Sequence, residues 1–225
     1  AYSNRGEAYR NHGELDKAIL DYNKAIELDP ADAAVTYNNR GLAYADQGEL
    51  DKAFVDYNKA IELDPQMAVA YSNRGLAYAD QGELDKAILD YNKAIELDPA
   101  DAAVTYNNRG LAYADQGELD KAFVDYNKAI ELDPQMAVAY SNRGEAYRNH
   151  GELDKAILDY NKAIELDPAD AAVTYNNRGL AYDEQGELDK AIADYNMAIE
   201  LDPQLALAYS NRGEAYRNHG ELDKA

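Results

Sequence analysis

The chain has 225 residues, of which 43 are acidic and 22 are basic, and its formal net charge is −21. This charge opposes binding to the phosphate backbone of nucleic acids and to anionic membranes, and it favours cationic peptides. There is no cysteine, which excludes disulfide bridges and thiolate metal sites. No apolar run reaches the ~20 residues of a membrane-spanning helix and no signal peptide is visible, so we expect a cytoplasmic protein.

A short motif, Tyr-Ser/Asn-Asn-Arg-Gly, recurs along the whole chain. It begins at Tyr2, Tyr37, Tyr71, Tyr106, Tyr140, Tyr175 and Tyr209, so its spacing alternates between 35 and 34 residues. A fixed period of this size predicts stacked structural repeats. We therefore expect one solenoid over residues 1–225, with repeats at 2–36, 37–70, 71–105, 106–139, 140–174 and 175–208 and a partial repeat at 209–225.

Each repeat contains two helical patterns in a fixed order. Tyr37, Gly41 and Tyr44 lie at i, i+4 and i+7, on one face of a first helix. Gly48 follows, and glycine readily adopts the left-handed conformation that ends a helix. Apolar residues at spacings of three and four then run from Leu50 to Leu63, as in an amphipathic second helix. A proline ends this pattern, so the prediction is an all-α fold of helix hairpins.

The sequence offers no catalytic or metal-binding constellation. The histidines His12, His150 and His219 lie in three different repeats, too dispersed for a metal site. The acidic connection around Asp32 lacks the glycine turn and ligand spacing of a calcium loop, so Asp32 is interpreted as a helix cap. Phosphate-binding loops, nucleophile elbows and catalytic triads have no counterpart here. We expect neither an enzyme nor a cofactor.

The repeats resemble the tetratricopeptide repeat (TPR) family. The family pattern of an aromatic residue, glycine, tyrosine, alanine, aromatic residue, alanine and proline reads here as Tyr37, Gly41, Tyr44, Ala53, Tyr57, Ala60 and Pro65. The resemblance implies a right-handed superhelix of antiparallel helix pairs, in which first helices line a concave groove and second helices cover the convex side. It also implies a non-catalytic scaffold that binds peptides or protein segments.

The resemblance also implies which residues face the groove. Of the lysine, asparagine and arginine set with which some family members clamp a terminal carboxylate, only an asparagine is matched, because Ser3, Asn38 and Val35 stand where lysines are needed. A carboxylate clamp is therefore not expected. The asparagine row either contacts a peptide backbone or serves contacts between repeats. It comprises Asn4, Asn39, Asn73, Asn108, Asn142, Asn177 and Asn211.

Further groove candidates differ from one repeat to the next. They are Glu7, Arg10, Leu42, Asp46, Asp80, Asp115, Glu145, Arg148 and Asp183. A constant scaffold with variable lining residues is expected of a recognition surface, although neutral drift at exposed positions gives the same pattern. The acidic members favour a basic or neutral peptide over an acidic one.

An arginine replaces the leucine that the family usually has before the first glycine. Each such arginine precedes an aspartate by sixteen residues, and we expect structural pairs between the two helices of one repeat. The pairs are Arg5–Asp21, Arg40–Asp56, Arg74–Asp90, Arg109–Asp125, Arg143–Asp159 and Arg178–Asp194. A phosphate-binding role for the arginine row is the alternative, and the surrounding acidic residues oppose it.

The two ends of the chain carry the same sequence, since residues 208–225 repeat residues 1–18 without a change. The chain stops where a last second helix should begin, so we expect an uncapped apolar strip that favours head-to-tail association of chains. Self-association into filaments is thus one alternative to a peptide-binding scaffold. A designed repeat array without a native ligand is another.

Overall fold

A computed structural model describes residues 1–220, which contain thirteen α-helices and no strand. Odd-numbered helices are the first helices of the hairpins, and even-numbered helices are the second helices. The helices are α1 (Tyr2–Asn11), α2 (Leu15–Leu28), α3 (Ala34–Asp46), α4 (Leu50–Leu63), α5 (Ala68–Asp80), α6 (Leu84–Leu97), α7 (Ala103–Asp115), α8 (Leu119–Leu132), α9 (Ala137–Asn149), α10 (Leu153–Leu166), α11 (Ala172–Glu184), α12 (Leu188–Leu201) and α13 (Ala206–His219).

The chain divides into two compact units, Ala1–Ala112 and Tyr113–Ala225, the second described to residue 220. In the first unit, α1 packs on α2, α3 on α4 and α5 on α6, and the second helices α2 and α4 also pack on the next first helices, α3 and α5. The second unit repeats this arrangement with α9 on α10 and α11 on α12, while α13 packs on α12. The all-α hairpin prediction is thus confirmed, whereas a single solenoid over the whole chain stays a prediction.

The turn between first and second helix follows the predicted chemistry. Gly48 has a φ of 76°, in the left-handed region that favours glycine. The N–H of Gly48 donates to the carbonyl of Ala45 at 2.8 Å, and the N–H of Glu49 donates to that of Tyr44 at 2.8 Å. These bonds satisfy carbonyls that the end of α3 would otherwise leave without partners.

The first helices after α1 begin about one turn earlier than the motif tyrosine predicts. In α3 the helix starts at Ala34, because the N–H of Tyr37 donates to the carbonyl of Ala33 at 2.8 Å. The interpretation of Asp32 as the cap of this helix is wrong: Ala33 holds the cap position and no side chain caps it. The N–H of Asp32 instead donates to the carboxylate of Asp29 at 3.4 Å.

The core lies between the two helices of each hairpin and the next first helix. Tyr57 of α4 is 1% exposed and packs with Ala53 and with Ala77 of the following repeat. Its ring lies directly against Gly41, where an added Cβ would come within 2.7 Å of a ring carbon. The glycine therefore permits the close approach of α3 and α4. The second helix expected to follow α13 lies outside the described residues.

Candidate functional site

One face of each unit is formed by first helices alone. In the first unit α1 contacts α3 and α3 contacts α5, and in the second unit α9 contacts α11 and α11 contacts α13. Within the described residues of each unit, second helices make no such contacts with one another. In a stack of hairpins, the layer whose members touch lies on the shorter arc. The first helices therefore form the inner face of each unit, and the second helices form its outer face.

The inner face of the first unit is crossed by an asparagine ladder. The Asn73 side chain donates to Asn38 Oδ1 at 2.9 Å across the gap between α5 and α3, and Asn38 donates in turn to Asn39 Oδ1 at 3.2 Å. Asn107 donates to Asn108 at 3.2 Å within α7. Part of the predicted asparagine row is thus engaged in contacts inside the protein.

The second unit has the same ladder at α11 and α13. The Asn211 side chain donates to Asn176 Oδ1 at 2.9 Å, and the Asn176 side chain donates to Asn177 Oδ1 at 3.4 Å. Asn142 is half-buried on α9, and Asn4 is exposed on α1 of the first unit. Sequence reasoning missed the buried partners Asn38, Asn107 and Asn176. Their signal was the alternation of asparagine with serine directly before the predicted row.

Two candidate arginines join neighbouring first helices at the other end of the inner face. Arg10 Nη1 lies 3.2 Å from Asp46 Oδ2, and Arg148 Nη1 lies 2.7 Å from Glu184 Oε1. Glu184 is thus the counterpart of Asp46 in α11, whereas Asp183 occupies the place that Ala45 has in α3. Arginine at this position therefore closes the gap between first helices with an ion pair.

Asp183 has an unusual environment for an aspartate. It is half-buried, and burial, followed by the nearby carboxylates of Glu214 and Glu184, raises the pKa of Asp183. Both effects disfavour the charged form. Glu7, Glu145, Asp80 and Asp115 are exposed on their helices. The inner face therefore carries carboxylates at most of the predicted acidic positions.

Leucines occupy the centre of the inner face in the first unit. Leu42 lies one helical turn from Asn38 and one from Asp46, so it shares the face of these two residues. It is half-buried, whereas its counterparts Leu76 and Leu111 are 43% and 44% exposed. The result is an apolar floor between the asparagine ladder and the aspartates.

The predicted arginine–aspartate pairs are brought together wherever both members lie in one unit. Arg40 Nε lies 2.7 Å from Asp56 Oδ2, and Arg40 Nη2 lies 2.7 Å from Asp56 Oδ1, a bidentate geometry. Asp56 is 2% exposed. Arg5–Asp21, Arg74–Asp90, Arg143–Asp159 and Arg178–Asp194 have the same bidentate form at 2.5–2.7 Å. The hydrogen bond to Asp90 raises the pKa of Arg74, and burial opposes that rise.

Each of these arginines after the first also reaches the preceding repeat. Arg40 Nη1 donates to Asn23 Oδ1 at 2.5 Å, and Arg74 Nη1 donates to Asn58 Oδ1 at 2.6 Å. The guanidinium of Arg40 also lies 5.3 Å from the ring centre of Tyr37 on its own helix. The arginine row therefore ties each repeat to the one before it. All three guanidinium nitrogens of Arg40 and of Arg74 take part in these internal bonds, which favours a structural role over phosphate binding.

Charge is distributed unequally between the two faces. Every lysine among residues 1–220 lies on a second helix. There the lysines pair with glutamates, for example Lys59 with Glu62 at 2.8 Å. The inner face of the first unit holds Asp46 and Asp80 without any lysine. Among the described residues, no helix is long and apolar enough to span a membrane and no cluster of side chains could hold a metal ion.

Family models match most of the chain. A model described as "TPR repeat" matches residues 6–48, 41–82 and 110–151. Two models described as "Tetratricopeptide repeat" match residues 68–101, 137–170 and 172–205 and residues 195–225, respectively. No curated protein sequence matches the chain.

Solved structures are also similar to it. One chain in the crystal structure of the APC/C hetero-tetramer Cut9–Hcn1 is 20% identical to this chain. The match covers 95% of this chain and 42% of that one, with a TM-score of 0.86. The present chain thus spans less than half of that relative, and this likeness concerns the fold alone. YrrB, described as a TPR protein with an unusual peptide-binding site, is 27% identical over 83% of this chain and 95% of that one, with a TM-score of 0.61. MamA is 34% identical over 72% of this chain and 94% of that one, with a TM-score of 0.62. The family models and the identity to MamA show that the chain belongs to the tetratricopeptide repeat family.

Proposed function

We propose that this protein is a non-catalytic scaffold whose inner face binds an extended or helical segment of a partner protein. The observation that carries this proposal is the surface of the first unit, where the exposed leucines Leu76 and Leu111 lie on the face that also carries Asp46 and Asp80. Apolar side chains in a concave surface provide burial for a ligand. YrrB, a relative described by its peptide-binding site, supports the same type of function.

The charges of the inner face favour a basic or neutral partner over an acidic one. Its aspartates have no lysine beside them, whereas glutamates of the second helices are paired with lysines, as Glu62 is with Lys59. Asp46 is already paired with Arg10. A bound lysine or arginine would therefore find its unneutralised carboxylate on this face at Asp80, which has no ion-pair partner among the described residues. The net charge of −21 adds a long-range attraction for cationic segments. We propose no role in binding nucleic acids or membranes.

The experiment compares matched substitutions on the two faces. An array of basic, neutral and acidic peptides is first used to select ligands for the purified chain. Leu76→Arg with Leu111→Arg places two cations on the inner face, whereas Val55→Arg with Leu89→Arg places two cations on the outer face. The control sites are 67% and 68% exposed, so both double variants alter solvent-accessible apolar residues and change the net charge equally.

Fluorescence anisotropy of the selected peptides then decides between the faces. The inner-face variant should weaken binding by about tenfold or more, since losing an apolar anchor and adding like charge act together. The outer-face variant should bind within about twofold of the original chain because it retains the inner surface. Equal losses in both variants, or no ligand from any class of peptide, would contradict the proposal.

A further inference from the structure

A cavity of about 310 Å³ opens between the starts of α9 and α11 in the second unit. Val138 and Val173 line it from the two helices and are 52% and 55% exposed, so apolar surface is accessible inside it. The hydroxyls of Ser141 and Thr174 lie 3.3 Å apart and join the same two helices. The cavity is therefore held between two connected first helices.

Two carboxylates line the same cavity. Asp167 and Asp170 belong to the connection between α10 and α11, and both residues are exposed. The N–H of Asp170 donates to Asp167 Oδ1 at 3.3 Å, which orients the first carboxylate. Within the described part of the chain, neither aspartate has a lysine or arginine as an ion-pair partner. The cavity thus combines an apolar wall with two unneutralised negative charges.

The first unit contains the same residues 69 positions earlier. Val69 and Val104 replace the two valines, Asp98 and Asp101 replace the two aspartates, and the N–H of Asp101 donates to Asp98 at 3.3 Å. Ser72 and Thr105 are 3.0 Å apart, as their counterparts are. The intervening short connections, such as Asp64–Met67, are one residue shorter and lack the second aspartate. The arrangement therefore recurs in alternate repeats.

We propose that this cavity and the equivalent place in the first unit each receive one lysine or arginine side chain of the bound peptide, an inference that rests on the proposed function of the inner face. The methylene stem of such a side chain contacts the valines, and its cationic head pairs with the two aspartates. An acidic side chain would be repelled, and a purely apolar one would desolvate the carboxylates without a partner. Long cationic side chains are the only natural ones that satisfy both parts of the cavity.

The test uses a fluorescein-labelled dodecapeptide of alternating alanine and lysine. Asp101→Asn with Asp170→Asn, called the cavity variant, changes one carboxylate in the cavity and one at the equivalent place in the first unit, while retaining the side-chain size and the backbone N–H. Glu62→Gln with Glu131→Gln changes the net charge by the same amount at exposed positions on second helices. We expect the cavity variant to bind the peptide about tenfold more weakly, and the control variant to stay within about twofold of the original chain.

A second probe separates insertion from general charge attraction. In this peptide each lysine is replaced by 2,4-diaminobutyrate, which keeps the cation but shortens the stem by two methylenes. Insertion predicts binding about fivefold or more weaker than that of the lysine peptide, because less apolar surface is buried. Equal affinity for both probes would overturn the inference, as would equal effects of the two double variants.

These measurements separate the cavity inference from the inner-face proposal. If Leu76→Arg with Leu111→Arg abolishes binding but the cavity variant retains it, the inference is overturned while the inner-face proposal stands. If the lysine peptide does not bind at all but neutral peptides from the array do, the inference is again overturned and the inner-face proposal again stands. Failure of every peptide to bind overturns both.

Discussion

Gly75 lies in close contact with Tyr91, so the substitution Gly75→Ala sets core packing against helix propensity. The sign of the change in the free energy of unfolding shows which of the two effects is larger. A Cβ on Gly75 would lie 2.8 and 2.9 Å from two ring carbons of Tyr91 and 3.2 Å from the backbone carbonyl of Ala87. Tyr91 is fully buried, so its ring has no free space into which to move. Gly75→Ala must therefore separate α5 from α6 or shift the ring.

Two opposing free energies determine the result for Gly75→Ala. Glycine in a helix interior costs about 1 kcal/mol relative to alanine, so propensity alone predicts stabilisation. Overpacking a filled core typically costs about 1–3 kcal/mol. We expect overpacking to dominate because one of the contacted atoms belongs to the backbone, and the net destabilisation should be about 1 kcal/mol.

The assay is urea unfolding followed by far-UV circular dichroism, together with amide exchange in α5. Exchange is needed because stability in a repeat array is partly local. Tyr91→Leu should reduce the cost of Gly75→Ala by removing the ring. Tyr91→Phe should leave that cost unchanged, because the buried hydroxyl has no hydrogen-bond partner among the described residues and the ring remains. A stabilisation of about 1 kcal/mol by Gly75→Ala alone would refute the packing argument.

Three further predictions concern charge. Arg74→Leu, which restores the usual family residue, should destabilise the chain by about 3 kcal/mol in urea unfolding, because it leaves the largely buried Asp90 unpaired. A loss of stability below about 0.5 kcal/mol would contradict this prediction, since so small a loss is typical of an exposed ion pair. Asp183→Ala should raise the melting temperature at pH 7, because the raised pKa of Asp183 means that the folded state disfavours its charged form. At a pH below both the folded and the unfolded pKa values the carboxyl is neutral in both states, so this gain should disappear. A gain that is unchanged at acidic pH would contradict the raised pKa of Asp183. Binding of a lysine-rich peptide should weaken from 50 mM to 500 mM salt by about tenfold, and tight, salt-insensitive binding of an acidic peptide would oppose the charge argument.

Much of the fold follows from sequence because spacing and turn chemistry act locally. The apolar period from Leu50 to Leu63 matches the limits of α4, and Gly48 marks the preceding turn. The start of α3 at Ala34 was not predictable from a cap, since no side chain caps it. Ala33 and Ala34, where the helix begins, are neither capping nor helix-breaking residue types, so they do not mark its start.

Contacts between repeats were harder to predict than contacts within one. Arg40 and Asp56 lie sixteen residues apart on the two helices of one hairpin. Because their charges are opposite, the pair can be predicted from the sequence. The bond from Arg40 to Asn23 crosses to the preceding repeat, and the buried position of Asn38 depends on a neighbouring helix. Nothing in a single repeat specifies which of its polar residues the next repeat will cover.

The central claim is that ligands bind to the first helices rather than to the second helices. Hydrogen–deuterium exchange of the full chain, with and without a peptide selected from the array, tests it directly. Peptic fragments of first and second helices differ in sequence, so the two faces can be distinguished although the repeats are nearly identical. We predict slower exchange in first-helix fragments, including that of α5, whose sequence occurs once, with little change in second-helix fragments. Protection confined to the second helices would contradict the account.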